Sequence, residues 1–205
     1  MKFLAKYRMY FLRVSILLLI VLSVKNNDFR AYTLEITTIK SLQMSILGFV
    51  LVVFGSFGRI WASLYIEGNK TKNLITAGPF SMVRNPLYFF SLIMLLGFSL
   101  ALKAIYLPLA LLLIFVLFHV PTIANEEKKL QDIHGEKFTS YVKSTPRLIP
   151  NIFKYKRPEI GEKVLVKISR INGVLIEVIG YLFLYTLIDI IYLILNQFFL
   201  TKHIY

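Results

Sequence analysis

The chain has 205 residues, of which 57% are hydrophobic and 17% charged, with a formal net charge of +13 and no cysteine. That hydrophobicity lies far outside the norm for a soluble domain, and the lack of cysteine excludes a disulfide framework, a thiolate zinc site and a catalytic thiol. In a soluble domain so basic a chain would suggest nucleic acid; here the basic residues flank apolar runs, so membrane topology and anionic headgroups account for them and no nucleic-acid partner is expected.

Lys2, Lys6, Arg8 and Arg13 precede the apolar run Ser15–Val24. A secretory signal peptide has the same layout, but Lys25, Asn26, Asn27 and Asp28 follow in place of a small-x-small cleavage site. The expectation is a retained signal-anchor helix from about Tyr10 to Val24. A polar loop, 25–40, leads to a second helix predicted from Ser41 to Tyr65, with Gly48, Gly55 and Gly58 towards one side, as close packing in lipid favours. Arg59 and Trp61 near its end suit snorkelling and an interfacial aromatic. A third helix should start at or just after Pro86, a residue suited to a first helical turn, and end near Leu102. After a tight link at Lys103, a fourth runs from Ala104 to about Ile123, making an antiparallel hairpin.

Residues 124–170 hold eleven Lys or Arg against six acids. A last apolar helix is predicted from Gly173 to Leu200. The basic bias places the N-terminus, the 67–84 loop and the 124–170 region on the cytosolic side. The expected fold is therefore all-α, a polytopic integral membrane helical bundle of about five transmembrane helices. Its expected domains are 1–66 (helices 1 and 2), 67–150 (a core holding the site) and 151–205 (a basic linker and the last helix).

Two polar runs carry the chemistry: Leu74–Tyr88, LITAGPFSMVRNPLY, and Asn125–Pro150, NEEKKLQDIHGEKFTSYVKSTPRLIP. They are expected to close over one site at a membrane surface. Amides freed by the Gly78-Pro79 turn, with Arg84 and Asn85 beside a helix start, suit an anionic or carboxylate group. The Glu126-Glu127 pair reads either as part of that site or as solvated partners of Lys128 and Lys129. His119, inside the fourth helix, is a functional candidate or a neutral histidine bonded to a neighbouring helix. His134 and His203 read as surface turn and tail, so no metal site is expected. Glu177 should reach the interface or Arg170, and Asp189 should make a polar contact inside the bundle.

The order Leu-x-x-x-Gly-Pro-Phe-x-x-x-Arg-Asn-Pro-x-Tyr, a helical hairpin, Glu-Glu-x-x-Leu, His-Gly-Glu-x-Phe, Tyr141 and Pro146-Arg147-x-x-Pro150 resembles the isoprenylcysteine carboxyl methyltransferase family and its relatives among membrane phospholipid methyltransferases. The resemblance covers Leu74–Pro150. It implies an S-adenosylmethionine site and methylation of a lipidic or membrane-partitioned acceptor, such as the carboxyl group of an isoprenylcysteine-like substrate. Carried over to this chain, the cofactor contacts are Lys72, Asn73, Leu74 and Ile75 before the turn, Gly78 in it, Phe80 after it, then Asn85, Pro86, Leu87 and Tyr88, with Glu126 opposite. Arg84 or nearby amides are expected to hold the cofactor's carboxylate, and Arg84, Glu127 and His119 are the expected catalytic residues, with Glu127 or His119 serving as a base if the acceptor is an amine. Asn85 stands where the family usually has His. Thr122 stands where carboxyl-methylating members have an Arg associated with the substrate. Two other functions fit a bundle of this kind: a steroid-reductase-type enzyme using NADPH, and a non-enzymatic membrane scaffold.

Overall fold

The computed structural model describes residues 38–66, 73–102, 107–158 and 168–202. They form α1 (Thr38–Ile66), α2 (Pro79–Met82), α3 (Pro86–Ala101), α4 (Leu107–His134), α5 (Glu136–Ser144), a 3₁₀ turn (Ile152–Lys154) and α6 (Ile168–Lys202). No β-strand occurs among the described residues; one isolated bridge joins Gly78 and Lys156. The fold is an all-α membrane helical bundle, as the composition predicts. The expected signal-anchor helix, residues 25–37 of the expected loop and Lys103 lie outside the described residues, while residues 38–40, expected in that loop, already belong to α1.

Among the described residues, three stretches are long and apolar enough to cross a bilayer: Ile39–Ile66, Leu107–His134 and Asn172–Ile191. The 16 residues of α3 rise about 24 Å, short of the roughly 30 Å of hydrocarbon. The exposed surface of α1 is apolar, with Leu42, Ile46, Phe49, Val50, Phe54 and Phe57 all uncovered. Such a face costs little in lipid and much in water.

The largest departure from the predicted helices is α4. Its end was expected near Ile123, yet the helix runs through Pro121 to His134. A proline inside a helix removes one N–H and crowds the preceding turn, which is why the sequence reads as an end there. Glu126, Glu127, Lys128, Lys129, Leu130 and Gln131 follow, and strong helix formers carry the helix onward. Gly135, with φ 52°, then turns the chain into α5.

The described residues divide into two compact units, one within Met1–Val53, Ile93–Phe118 and Tyr181–Tyr205, the other within Phe54–Leu92 and His119–Gly180. In the first, a Cβ on Gly48 would fall 2.8 Å from the Gly97 carbonyl oxygen, and one on Gly97 would fall 2.7 Å from that of Gly48. Glycine at both positions lets the α1 and α3 backbones touch. Tyr185 packs there with Val52 and Ala101, and its hydroxyl donates to the Ser45 carbonyl at 2.6 Å. The Ser45 hydroxyl donates to Asp189 at 2.7 Å, the polar contact expected of that carboxylate.

In the second unit, Gly58 lies against the Phe90 ring, where a Cβ would come within 2.1 Å. Arg59 donates to Ser91 Oγ at 2.7 Å and pairs with Glu177 at 3.1 Å. Arg59 is thus one partner of Glu177; the side chain of Arg170, the partner expected from the sequence, lies outside the description.

Candidate cofactor cavity and the Glu127 clamp

The stretch Leu74–Tyr88 lies wholly in the second unit and is fastened along its length to residues 141–156. Gly78, at φ 59° and ψ −133°, takes a backbone conformation open to glycine and costly for other residues. A Cβ there would also meet the Tyr65 ring at 2.3 Å. The Gly78 N–H donates to the Lys156 carbonyl at 2.8 Å, Asn151 N–H to Met82 at 3.0 Å, and Arg84 N–H to Pro146 at 2.8 Å. The Ser81 hydroxyl donates to the Gly78 carbonyl and accepts from Lys156 N–H at 2.8 Å. Buried Tyr141 donates its hydroxyl to the Phe80 carbonyl at 2.6 Å. Burial pushes that phenol well above its ordinary pKa, with Arg84 lowering it and Glu127 raising it, so it remains a donor.

A cavity of about 320 Å³ opens between this stretch and α4. That volume lies near the small end of the range of roughly 300–1,000 Å³ for ligand pockets. Asn73, Leu74, Ile75 and Phe80 line one side, Glu126, Lys129, Leu130 and Ile133 another, with Arg84, Tyr141 and Ile66 completing it. Five expected cofactor residues therefore come together here (Asn73, Leu74, Ile75, Phe80 and Glu126), joined by Arg84. Lys72 lies outside the described residues. Gly78 shapes the turn, and Pro86 is buried at the start of α3. Leu87 is half-buried and offers its carbonyl to Ser91 Oγ at 2.7 Å. None of these three lines the cavity.

Tyr88 also stands outside the lining, but its hydroxyl donates to Glu126 Oε1 at 3.0 Å. Its ring meets His119 edge-on at a centroid distance of 5.5 Å. Both residues thus lie near the cavity through Glu126 without facing into it.

Glu127 faces elsewhere. Successive helical residues point about 100° apart, and its carboxylate, with the side chain 15% exposed, sits between two guanidinium groups. Arg147 Nε lies 3.1 Å from Oε2 and Arg84 Nε 3.5 Å from Oε1. Neither Nε makes an aligned hydrogen bond, so these are charge contacts. The aligned donor is Asn85, whose Nδ2 reaches Glu127 Oε1 at 2.9 Å and the Arg147 carbonyl at 3.0 Å. One amide group supplies both protons. Asn85 thereby ties the Arg84 segment, α4 and the Pro146-Arg147 turn together.

Sequence reasoning did not assign Lys129, Leu130 and Ile133 to the site. They stand three, four and seven positions after Glu126, the spacing of one helical face, and were legible once α4 is drawn to His134. Tyr141 is marked in the sequence only by its place in the motif. Ile66 carried no signal in the sequence.

The phospholipid methyltransferase family model matches residues 41–137, which includes every described wall of the cavity except Tyr141. Residues 41–137 are thus similar to the phospholipid methyltransferase family. That family falls within the isoprenylcysteine carboxyl methyltransferase-like group, in agreement with the resemblance drawn from Leu74–Pro150. The chain is also similar to the cobalt-zinc-cadmium resistance protein CzcN of Cupriavidus metallidurans, 34% identical over 110 residues that make up 54% of this chain and 50% of that protein. The nickel-cobalt-cadmium resistance protein NccN of Alcaligenes xylosoxydans xylosoxydans is 32% identical over 110 residues, 54% of this chain and 51% of that one. The chain thus spans about half the length of these curated relatives. No solved structure matches.

Proposed function

We propose that this chain, similar over residues 41–137 to the phospholipid methyltransferases, uses S-adenosylmethionine to methylate a lipidic or membrane-partitioned acceptor. The observation that carries the proposal is the single cavity into which Glu126, Arg84 and Phe80 converge beside Asn73–Ile75. Its donor set fits the cofactor's functional groups. A guanidinium or the Lys129 ammonium answers a carboxylate. The Glu126 carboxylate answers an ammonium or a ribose diol, and the Phe80 face a sulfonium cation. Leu74, Ile75, Leu130 and Ile133 offer an apolar surface to a purine. S-adenosylmethionine supplies an activated methyl group on sulfur, so the protein's task is chiefly alignment of the acceptor.

The roles of the chain's own residues follow from their partners. Arg84 binds anionic oxygen, held in place by Glu127 and by its backbone bond to Pro146. In this reading Glu127 acts as a positioning residue, since both its oxygens already face cations and an amide. Tyr88 orients Glu126 and keeps His119 beside it. His119 stays a candidate base for an acceptor that must lose a proton.

Calorimetric titration of the full chain in detergent tests the reading. S-adenosylmethionine should bind, and Glu126→Gln should weaken it by at least about tenfold, the loss of one charge-assisted contact. Binding of NADPH in its place would move the assignment to the reductase class, and binding of neither would favour a scaffold. Incubating the protein with membrane lipid extract and methyl-labelled cofactor then identifies the acceptor.

A further inference from the structure

We propose that residues 143–157 form a rigid hook that docks on an anionic lipid leaflet beside the cavity. The segment lies outside the three candidate spans, yet its apolar side chains point away from the protein. Ile149 is 79% exposed, Ile152 65% and Phe153 93%. Outside a helix span nothing in the fold calls for such exposure, and an aqueous setting penalises it. The charge pattern says what covers it. Residues 137–158 contain six Lys or Arg and no Asp or Glu. Lys143, Lys154, Lys156 and Arg157 are all exposed around the apolar tip. Apolar residues set among cations are the composition of an interfacial membrane element, and each basic group near an anionic leaflet adds to the attraction. Arg84, Lys143 and Lys154 also help line an open cavity of about 700 Å³ beside Ile149, Ile152 and Phe153, which suits an anionic phospholipid headgroup with its chains along the tip.

The hook is also braced. Asn151 accepts from Phe153 N–H through its side chain at 3.1 Å and donates its own N–H to Met82, while Lys156 holds Gly78. The tip is thus pinned to α2, the turn that carries Phe80 into the smaller cavity. Docking would set that cavity at a fixed depth relative to the headgroups. The inference does not depend on which cofactor the cavity takes.

Because the chain contains no cysteine, one introduced thiol carries a single spin label. The full-length Phe153→Cys protein would be labelled and placed in nanodiscs of phosphatidylglycerol or of phosphatidylcholine alone. A Ser140→Cys protein provides the reference. Power-saturation with oxygen and with a water-soluble nickel complex reads the depth of each label. In anionic discs the label at 153 should be shielded from nickel severalfold more than the label at 140, with oxygen access retained. Shielding should fall in phosphatidylcholine, and should be lost in anionic discs when Lys154, Lys156 and Arg157 are all replaced by Glu. Equal nickel access at 153 in both lipids, matching position 140, would overturn the proposal and point to a soluble partner for this surface. Circular dichroism of each variant keeps misfolding distinct from undocking.

Discussion

Glu126 and Glu127 adjoin in sequence, yet the turn of α4 gives them different surroundings. Glu126 faces the cavity and accepts from Tyr88. Glu127 is closed in by Arg84, Asn85 and Arg147. Removing a carboxylate that neutralises two partly buried guanidinium groups leaves uncompensated charge, so Glu127→Ala should lower stability by about 3 kcal/mol, read by chemical denaturation in detergent. Glu126→Gln, at a more exposed position, should leave stability within about 0.5 kcal/mol while weakening cofactor binding. If the two variants lose stability equally, the division of labour is wrong. Tyr141 supplies a pH test. Its folded pKa is raised by burial, so the folded state keeps a proton that the unfolded chain loses near the ordinary value of about 10. Stability from this group is therefore complete below about pH 10 and declines as pH rises from there towards the raised folded value. Tyr141→Phe should flatten that alkaline decline. It should also cost about 1–2 kcal/mol at neutral pH, because the Phe80 carbonyl loses its donor. A decline of unchanged steepness would assign it to other groups.

At the scale of elements, the apolar helices α1, α3 and α6 were legible because nothing in their sequences competes with the hydrophobic signal. Their observed ranges contain or closely track the predicted ones. The reach of α4 was not legible, since a proline at 121 outweighed the helix-forming run after it in local reading. That one misplaced end also hid part of one cavity wall, as Lys129, Leu130 and Ile133 gain a common face only when the helix continues. The motif residues were readable as a group, but their division between cavity and clamp was not. Asn85, at a position tied by resemblance to cofactor binding, donates its amide protons to Glu127 and the Arg147 carbonyl. Close packing was expected at Gly48, Gly55 and Gly58 of α1; Gly48 and Gly58 each lie hard against a neighbour, and Gly97, which the sequence did not single out, meets Gly48. Gly97→Ala would drive a methyl into the α1 backbone, where side-chain rotation offers no relief. It should cost about 1–3 kcal/mol, measured as a lower unfolding midpoint in detergent. Gly173→Ala, where an added Cβ meets nothing within 4 Å, should not lower it.

At the scale of the whole chain, the family match ends at residue 137, but the hydrogen bonds that fix Gly78, Phe80, Met82 and Arg84 come from Tyr141, Pro146, Asn151 and Lys156. The matched segment supplies most of the cavity's lining, while the segment after it holds that lining in place. A cavity wall made of a four-residue helix and an extended run has few internal bonds of its own, so its geometry depends on those outside anchors. A chain ended after Lys137 should keep the helical circular dichroism of α1, α3 and α4. It should nevertheless lose S-adenosylmethionine affinity by at least about tenfold relative to the full chain, one contact's worth of alignment or more. Full-length Tyr141→Phe should fall between the two, because it removes one anchor and leaves the backbone bonds of Pro146, Asn151 and Lys156 intact. A truncated chain that bound as tightly as the full one would mean that residues 73–88 hold their conformation unaided, and the role given to the later segment would have to be withdrawn.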